Sequence, residues 1–305
     1  MHRKNGSGFL RSVVIPVIIA VSFMTNIVII GRRGYIGGAI VKYLSSEGSY
    51  NIVAPSSAKC NFLNLEEVKS FFSTLGFEEC HVVFTAVINK SINDSMQTFL
   101  QNIQIISNFV EGQEKANISS IIFLSSVDVY GKDFSAPITE ETSINPDNWY
   151  GLSKYVSEWI LASNGKIECP LTILRLPGVF GKAPKENSVI GNLVQNIEEN
   201  RKVILTGNGE ALRDYVFVND VAAIIESFIL NSHPGIFNLA TGTKYSIKNI
   251  VEIIRNTLKT DFEIVYEHGY GCRMFDIFFN NHKLTKALPD FRFRGIEAGI
   301  ESYRN

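Results

Sequence analysis

With 305 residues, 45% of them apolar and 19% charged, the chain is long enough to bury one large core or two lobes, and nothing in it reads as disordered or fibrous. A formal net charge of −1, with Lys and Arg scattered, excludes the electrostatic footprint of a general nucleic-acid binder and leaves any anionic ligand to local basic residues. Cys60, Cys80, Cys169 and Cys272 stand far apart without CxxC or Cys/His clustering, so neither a metal site nor a disulfide framework is expected.

Residues 1–23 join basic residues to an apolar run that contains Pro16 and reaches only about a dozen residues, short of the roughly 20 a spanning helix needs. The expectation is a non-native start, with translation beginning at Met24; a weak hydrophobic leader or anchor is the alternative. A membrane protein is not expected. Beyond this segment, β-branched runs at 26–30, 51–54, 81–86, 120–125 and 171–176 alternate with helical periods at 36–46, 65–75, 94–112 and 149–163. This alternation predicts an α/β fold, a doubly wound parallel sheet covered on both faces. After 177 the regularity breaks: 178–188 reads as loop, 189–199 as helix, and 216–240 as a helix and a strand. The expected organisation is a dinucleotide-binding domain of 24–177 plus about 214–241, and a smaller C-terminal substrate-binding lobe of 178–213 plus about 242–305. Ligands would sit between them at the carboxyl ends of the strands.

The stretch NIVIIGRRGYIGGAIVKYL places Gly31, Gly34 and Gly37 between a strand and a helix. Such a turn needs backbone freedom, close approach of a pyrophosphate to main-chain N–H groups, and a helix N-terminus that favours negative charge. Cofactor contacts are therefore expected from Gly31, Arg32, Arg33, Gly34, Tyr35, Ile36 and Gly37, with Ser56 after the second strand and Ala86 after the third. A carboxylate after the second strand would hold ribose hydroxyls and repel a 2′-phosphate. NIVAPSSAKC offers none, while Arg32 and Arg33 stand in the turn, so NADP(H) is preferred and NAD(H) possible. The two arginines are otherwise solvated loop charges.

NWYGLSKYVSE sets Tyr150 and Lys154 four apart, on one face of a helix with about 5–6 Å between Cβ atoms. Trp149, Leu152, Val156, Trp159 and Ile160 form a separate apolar stripe, leaving the pair free of core duty. An ammonium at about 4 Å contributes on the order of 4 kcal/mol at an effective dielectric near 20, enough to lower a phenol by up to about 3 pKa units. IIFLSSVDVYG brings Ser125 and Ser126 to the end of a central strand.

Together these motifs resemble the extended short-chain dehydrogenase/reductase superfamily, the NAD(P)-dependent nucleotide-sugar epimerases, reductases and dehydratases with a Rossmann sheet. The resemblance runs from Met24 over nearly the whole chain, through LRLPGVFG, RDYVFVNDV, FNLATG and RMFDIFFNNHKL. It implies that Tyr150 exchanges a proton with the sugar oxygen while the nicotinamide exchanges hydride with the same carbon. Ser126 would hydrogen-bond that oxygen, Lys154 would also hold the nicotinamide ribose, and Ser125 would touch the cofactor. Arg213 and Arg273 match arginines that grip the substrate diphosphate; alternatively each pairs with Asp214 or Asp276. Asn102 matches a structural asparagine. Helices 94–112 and 149–163 resemble the pair that forms a homodimer interface in the family, although their apolar faces could be ordinary core.

Departures from the family patterns narrow the reaction. The dehydratases carry Asp-Glu after the catalytic hydroxyl, and here Val127 and Asp128 stand instead. The glycine loop and PKENSVIGNL look most like the GDP-fucose synthase-like, 4-ketoreductase branch. That branch epimerises with a cysteine and a histidine, but Asp128 occupies the cysteine position and 187–189 lack the histidine. Asp128 is then either a substitute base or a turn residue bonded to local backbone. Gly178 stands where many relatives have asparagine, and Asn187 remains a candidate sugar contact. The expectation is a cytoplasmic, NADPH-dependent reductase of a nucleotide-linked 4-keto-6-deoxy sugar, used in polysaccharide biosynthesis. A 4-epimerase with bound NAD is the rival, and a non-catalytic dinucleotide-binding protein the remote alternative.

Overall fold

The computed structural model describes residues 24–267 and 275–304. Expectations for residues 1–23, Cys272 and Arg273 lie outside the described residues. In chain order the first half runs β1 (Thr25–Ile30), α1 (Tyr35–Glu47), β2 (Tyr50–Val53), α2 (Leu65–Ser73), β3 (Cys80–Phe84), α3 (Met96–Gly112), β4 (Ile118–Ser126), α4 (Trp149–Ser163) and β5 (Leu171–Leu176). The second half runs β6 (Gly178–Phe180), α5 (Val189–Asn200), β7 (Lys202–Thr206), β8 (Leu212–Arg213), β9 (Tyr215–Phe217), α6 (Val218–Leu230) and β10 (Gly235–Asn238). It ends with β11 (Tyr245–Ser246), α7 (Ile247–Leu258), β12 (Glu263–Glu267), α8 (His282–Ala287) and α9 (Ile296–Glu301).

Six strands form one parallel sheet in the order β2-β1-β3-β4-β5-β10. Being parallel, the sheet must be covered on both faces, and its sequence shows this directly. On β1, Ile27 and Ile29 face a cluster with Ile40 and Leu44 of α1 and Val221, Ile225 and Phe228 of α6. Val28 and Ile30 face the opposite cluster, with Val68 and Phe72 of α2, Phe109 of α3 and Leu161 of α4. Successive side chains of one strand thus fill two cores, which is why the run is apolar without alternation. The chain leaves β1 toward β2 and returns across it to β3, so a crevice opens where the strand order reverses, at the carboxyl ends of β1 and β3.

A third cluster lies outside the sheet, joining Ile190, Val194 and Ile197 of α5 to Val203 and Leu205 of β7 and to Ile250, Val251 and Ile254 of α7. Two short elements differ from the sequence reading. Residues 178–180, expected as loop, form β6 because they pair in parallel with β9, a partner 37 positions away in register. β3 stops at Phe84 rather than Ala86, because Thr85 turns its hydroxyl to the Ile30 carbonyl of the neighbouring strand (2.9 Å).

Gly31 (φ +103°) and Gly37 carry the first βα turn. A Cβ on Gly37 would collide with the Gly31 carbonyl oxygen and lie 2.9 Å from its carbon. Alanine would improve the helix by about 1 kcal/mol, but overpacking at a rigid backbone contact costs typically 1–3. Gly37→Ala is therefore expected to lower stability by up to about 2 kcal/mol, read as a shift in the urea unfolding midpoint.

Candidate active site

The turn after β1 is shaped as a cradle. A Cβ on Gly31 would fall against Thr85 Oγ1 and within 2.7 Å of the Ala86 nitrogen, so the two strand ends meet there with no room for a side chain. α1 begins immediately after, and its cap residue Gly34 supplies no side-chain hydrogen bond to the first turn. The N–H groups and the positive end of the helix dipole are thus directed at whatever occupies the crevice. A cavity of about 450 Å3 lies there, lined by Arg33, Gly34, Tyr35, Ile36 and Gly37 on one side and by Ser125, Tyr150 and Lys154 on the other. A second cavity of about 250 Å3 continues past Gly31, Arg32 and Ala86 to Pro55, Ser57, Asn61 and Phe62 at the end of β2. The two cavities share Arg33, Gly34, Thr85 and Val87 in their linings.

One expected contact is placed differently. Ser56 gives only its carbonyl, to the Lys59 and Cys60 nitrogens, and Ser57 lines the cavity in its stead. Arg32 donates to the Ala54 carbonyl (3.2 Å), while Arg33 lines both cavities.

α4 opens on Asn148, whose side chain accepts from the Gly151 nitrogen (2.7 Å), and Asp94 accepts from the Tyr150 nitrogen (2.9 Å). These bonds fix the first turn and with it Tyr150. Lys154 is 3% exposed, donates to the Leu124 carbonyl (2.5 Å), and lies 5.9 Å from the centre of the Tyr150 ring. Far from being clear of the core, it is one of the most buried cations described. Beneath it Glu158 accepts two bonds from Arg175 (3.0 and 2.7 Å), both side chains almost fully buried. Arg175 also donates to Tyr130 (3.0 Å), which donates to Asn238 (2.8 Å). Ser125 donates to Glu158 (2.5 Å), so its hydroxyl is turned into this network although the residue lines the cavity.

Burial lowers Lys154 to about 7, with Glu158 pulling it back up. The Tyr150 phenol is raised well above its ordinary value by burial and then by the facing charge of Asp128, while Ser126 beside it pulls the other way. The expected depression of the phenol by its lysine is therefore not what the protein alone provides. Loss of water around the phenolate outweighs an ammonium that is itself desolvated and bonded to a carbonyl.

The remaining candidates are spread. Ser126 donates to Asp128 (2.8 Å) beside Tyr150, and Asn187 lines the larger cavity with Lys185. Gly178 is exposed beneath the Tyr215 ring, where a Cβ would come within 2.6 Å, and does not line that cavity. Arg213 donates to the Leu212 and Phe275 carbonyls (2.8 and 2.7 Å) rather than to a carboxylate. Asp214 instead accepts from Thr241 and Gly242, and burial raises it to about 6. Asn102 ties both ends of its amide to Ile88, the structural part expected of it. Among the described residues no cluster of His, Cys, Asp or Glu could hold a metal ion.

Sequence reasoning missed Glu158 and Arg175, and it missed Lys90, which pairs with Asp128 (2.5 Å). Glu158 was findable, since it repeats the Tyr–Lys spacing one turn on. Lys90 carries no local signal.

The lysine's burial has a measurable consequence. Its folded value lies below the ordinary 10.5, so the unfolded chain binds more protons between about 7 and 10.5 and stability rises with pH across that window. Lys154→Met is expected to gain on the order of a few kcal/mol below that window, since about 1.4 kcal/mol accompanies each pKa unit and the lost carbonyl bond returns only about 1. The gain should shrink toward pH 10, read from denaturant midpoints across pH.

A family model described as NAD dependent epimerase/dehydratase family matches residues 27–240. UDP-glucose 4-epimerase from Lactobacillus helveticus is 26% identical over 283 residues, 80% of this chain and 84% of that protein. GDP-L-fucose synthase 1 from Arabidopsis thaliana is 26% identical over 268 residues, 81% of each. The solved structure of a GDP-mannoheptose C4 reductase from Campylobacter jejuni with NADP bound has a TM-score of 0.76, covering 92% of this chain and 97% of that one at 20% identity, a likeness of fold. The family match spans the sheet from β1 to β10, including the glycine cradle and the Tyr150–Lys154 pair, and the chain belongs to the NAD dependent epimerase/dehydratase family.

Proposed function

We propose that this protein is an NADPH-dependent reductase of a nucleotide-linked 4-keto-6-deoxy sugar. The observation that carries the reading is the cofactor end of the crevice: Pro55 and Ser57 line it after β2 with no carboxylate among its described lining residues, and Arg33 reaches both cavities. A ribose 2′-phosphate is welcome there, and guanidinium suits it.

In this reading 24–177 and about 214–241 hold the cofactor, and 178–213 with about 242–305 hold the sugar nucleotide. The N–H groups of Tyr35 to Gly37 bind the pyrophosphate, with Gly34 and Ala86 against the cradle, and Lys154 holds the nicotinamide ribose. When bound, the nicotinamide supplies the hydride. Tyr150 Oη donates a proton to the carbonyl oxygen that Ser126 orients. Arg213 and Asn187 contact the sugar nucleotide, with Arg273 and Gly178 as further candidates. The protein acts in the cytoplasm; among the described residues no helix is long and apolar enough to cross a membrane. A 4-epimerase with retained NAD is the second reading, favoured by the likeness to a UDP-glucose 4-epimerase and by a catalytic set that serves both reactions.

α3 and α4 also expose Met96, Leu100, Trp149, Tyr155 and Trp159, with Trp159 62% exposed. That outward face, which shares Trp149 and Trp159 with the apolar stripe read from sequence on α4, suits a homodimer interface built from these two helices.

Three measurements test the reading. Denaturing fresh protein and weighing any released dinucleotide should find the site empty, and the protein should prefer NADPH over NADH by about tenfold or more, about 1.4 kcal/mol; stoichiometric NAD would establish the epimerase reading instead. Tyr150→Phe should lower turnover roughly 10²- to 10⁴-fold with little change in melting temperature, and near-normal turnover would refute the assignment. Trp159→Glu combined with Leu100→Glu should convert a dimer to monomer in sedimentation, with wild-type monomer excluding the interface.

A further inference from the structure

We propose that Lys185 binds the pyrophosphate of the dinucleotide from the loop after β6, and that Glu186 and Tyr303 are the positioning residues that hold that loop over the crevice. The inference rests on the reading of the crevice as a dinucleotide site, and not on which sugar reaction follows.

The cavity of about 450 Å3 beside the glycine cradle is lined by three charged side chains, Arg33, Lys154 and Lys185, with no carboxylate among its described lining residues. Lys154 is bonded to the Leu124 carbonyl (2.5 Å), and Arg33 belongs to the cradle turn itself. Lys185 is an exposed cation that makes no hydrogen bond or ion pair with any described residue. Its backbone is left-handed, with φ +62°. Arg201 and Lys259, the other non-glycine residues described with positive φ, are the caps that end α5 and α7. Lys185 ends no helix. A lysine therefore stands in a conformation that glycine or asparagine would adopt more easily, a mark of a constraint imposed by its surroundings.

Those surroundings form a clasp. Glu186, the next residue, accepts on its Oε1 from the Gly181 nitrogen (3.1 Å), Ser188 Oγ (2.6 Å) and Tyr303 Oη (2.5 Å). A Cβ on Gly191 would come within 2.6 Å of the same oxygen, so the carboxylate is seated against the first turn of α5. Tyr303 Oη also accepts from the Gly181 nitrogen (2.9 Å), and Ser302 Oγ accepts from the Lys182 nitrogen (3.1 Å). The turn Ser302–Arg304 thus grips both ends of the loop, and α9 before it is rooted in the third core cluster through Ile296 and Ile300. Burial, and then the charge of Glu186, raise the Tyr303 phenol far above its ordinary range, so it stays a donor. With Glu186 turned into this clasp, its two neighbours Lys185 and Asn187 both line the crevice.

The loop is tied to the cradle as well. Tyr35, the first residue of α1, donates through its hydroxyl to the Gly181 carbonyl (2.9 Å). One hydroxyl therefore joins the helix whose N-terminus faces the pyrophosphate to the root of the loop that carries Lys185. An ammonium serves phosphate as a point charge, and a loop fixed beforehand spares the ordering cost that a free one would meet on binding. Lys185 also borders a hollow over α5 that contains Glu198, so the rival reading is a solvated surface charge. That reading expects no effect on the dinucleotide.

The test titrates the full chain, freed of any dinucleotide, with NADPH and with NADH, by calorimetry. Lys185→Met should raise Kd roughly 5- to 20-fold for both, because both carry the pyrophosphate, and should flatten the dependence of Kd on salt. Tyr303→Phe should raise both values several-fold in the wild-type background and change little in the Lys185→Met background, a non-additivity that a general loosening of the fold would not show. Glu186→Ala carries the same comparison if Tyr303→Phe does not fold, and the exposed Lys185→Met stands independently of either. Wild-type Kd values in Lys185→Met overturn the proposal. So does a loss confined to NADPH, which would put the lysine on the 2′-phosphate, or an unchanged Kd with a raised KM for the sugar nucleotide, which would put it on the substrate's diphosphate. Additive effects of Tyr303→Phe and Lys185→Met overturn the clasp. Wild-type protein that binds dinucleotide but reduces no 4-keto sugar nucleotide overturns the reductase reading alone, and protein that binds neither dinucleotide overturns both.

Discussion

The crevice end of this molecule depends on burying a lysine without losing its charge altogether. Lys154 is sealed between the end of β4 and α4, where an isolated ammonium would be driven to its neutral form. Glu158 one turn below opposes that drive, and Arg175 from β5 in turn keeps Glu158 from being an unpaired buried carboxylate. Removing either member of the pair would leave the other charge stranded, a loss of roughly 3–5 kcal/mol, so the network under the site is also what fastens α4 to the sheet. Tyr130 and Asn238 extend it to β10, which ties the far edge of the sheet to the same cluster.

On top of that base, Tyr150 stands in a field set by burial and by Asp128 rather than by its lysine alone. Asp128 draws the hydroxyl of Ser126 to itself and is held by Lys90, so the side of the phenol facing water is as organised as the side facing the core. The strand order supplies the rest: because the chain reverses between β1 and β3, the glycine cradle and the helix N-terminus open onto the same crevice as the ends of β4 and α4.

The smaller elements show how packing, not local preference, decides short segments. β6 exists because β9 lies beside it, and β8 pairs with β11 over only two positions. The exposure of Trp159 and Leu100 likewise follows from where α3 and α4 sit against the sheet. A helical period identifies an apolar stripe without saying whether it turns to the core or to a partner.

By itself the sequence determined the features whose cause is local. Uninterrupted β-branched runs specify strands buried on both faces, helical periods mark their crossovers, and the 149–163 helix was read to its observed ends, the first of which Asn148 caps. The glycine spacing and the Tyr150–Lys154 pair were legible for the same reason, since a tight turn sets the first and one turn of helix the second. Only tertiary structure decided the electrostatics: Lys90 meets Asp128 across 38 positions, Arg175 meets Glu158 across 17, and Ser57 rather than Ser56 faces the crevice. Those contacts depend on which strand ends and loops the sheet order brings together, and the energy of a charge depends on the water that the whole fold removes from around it.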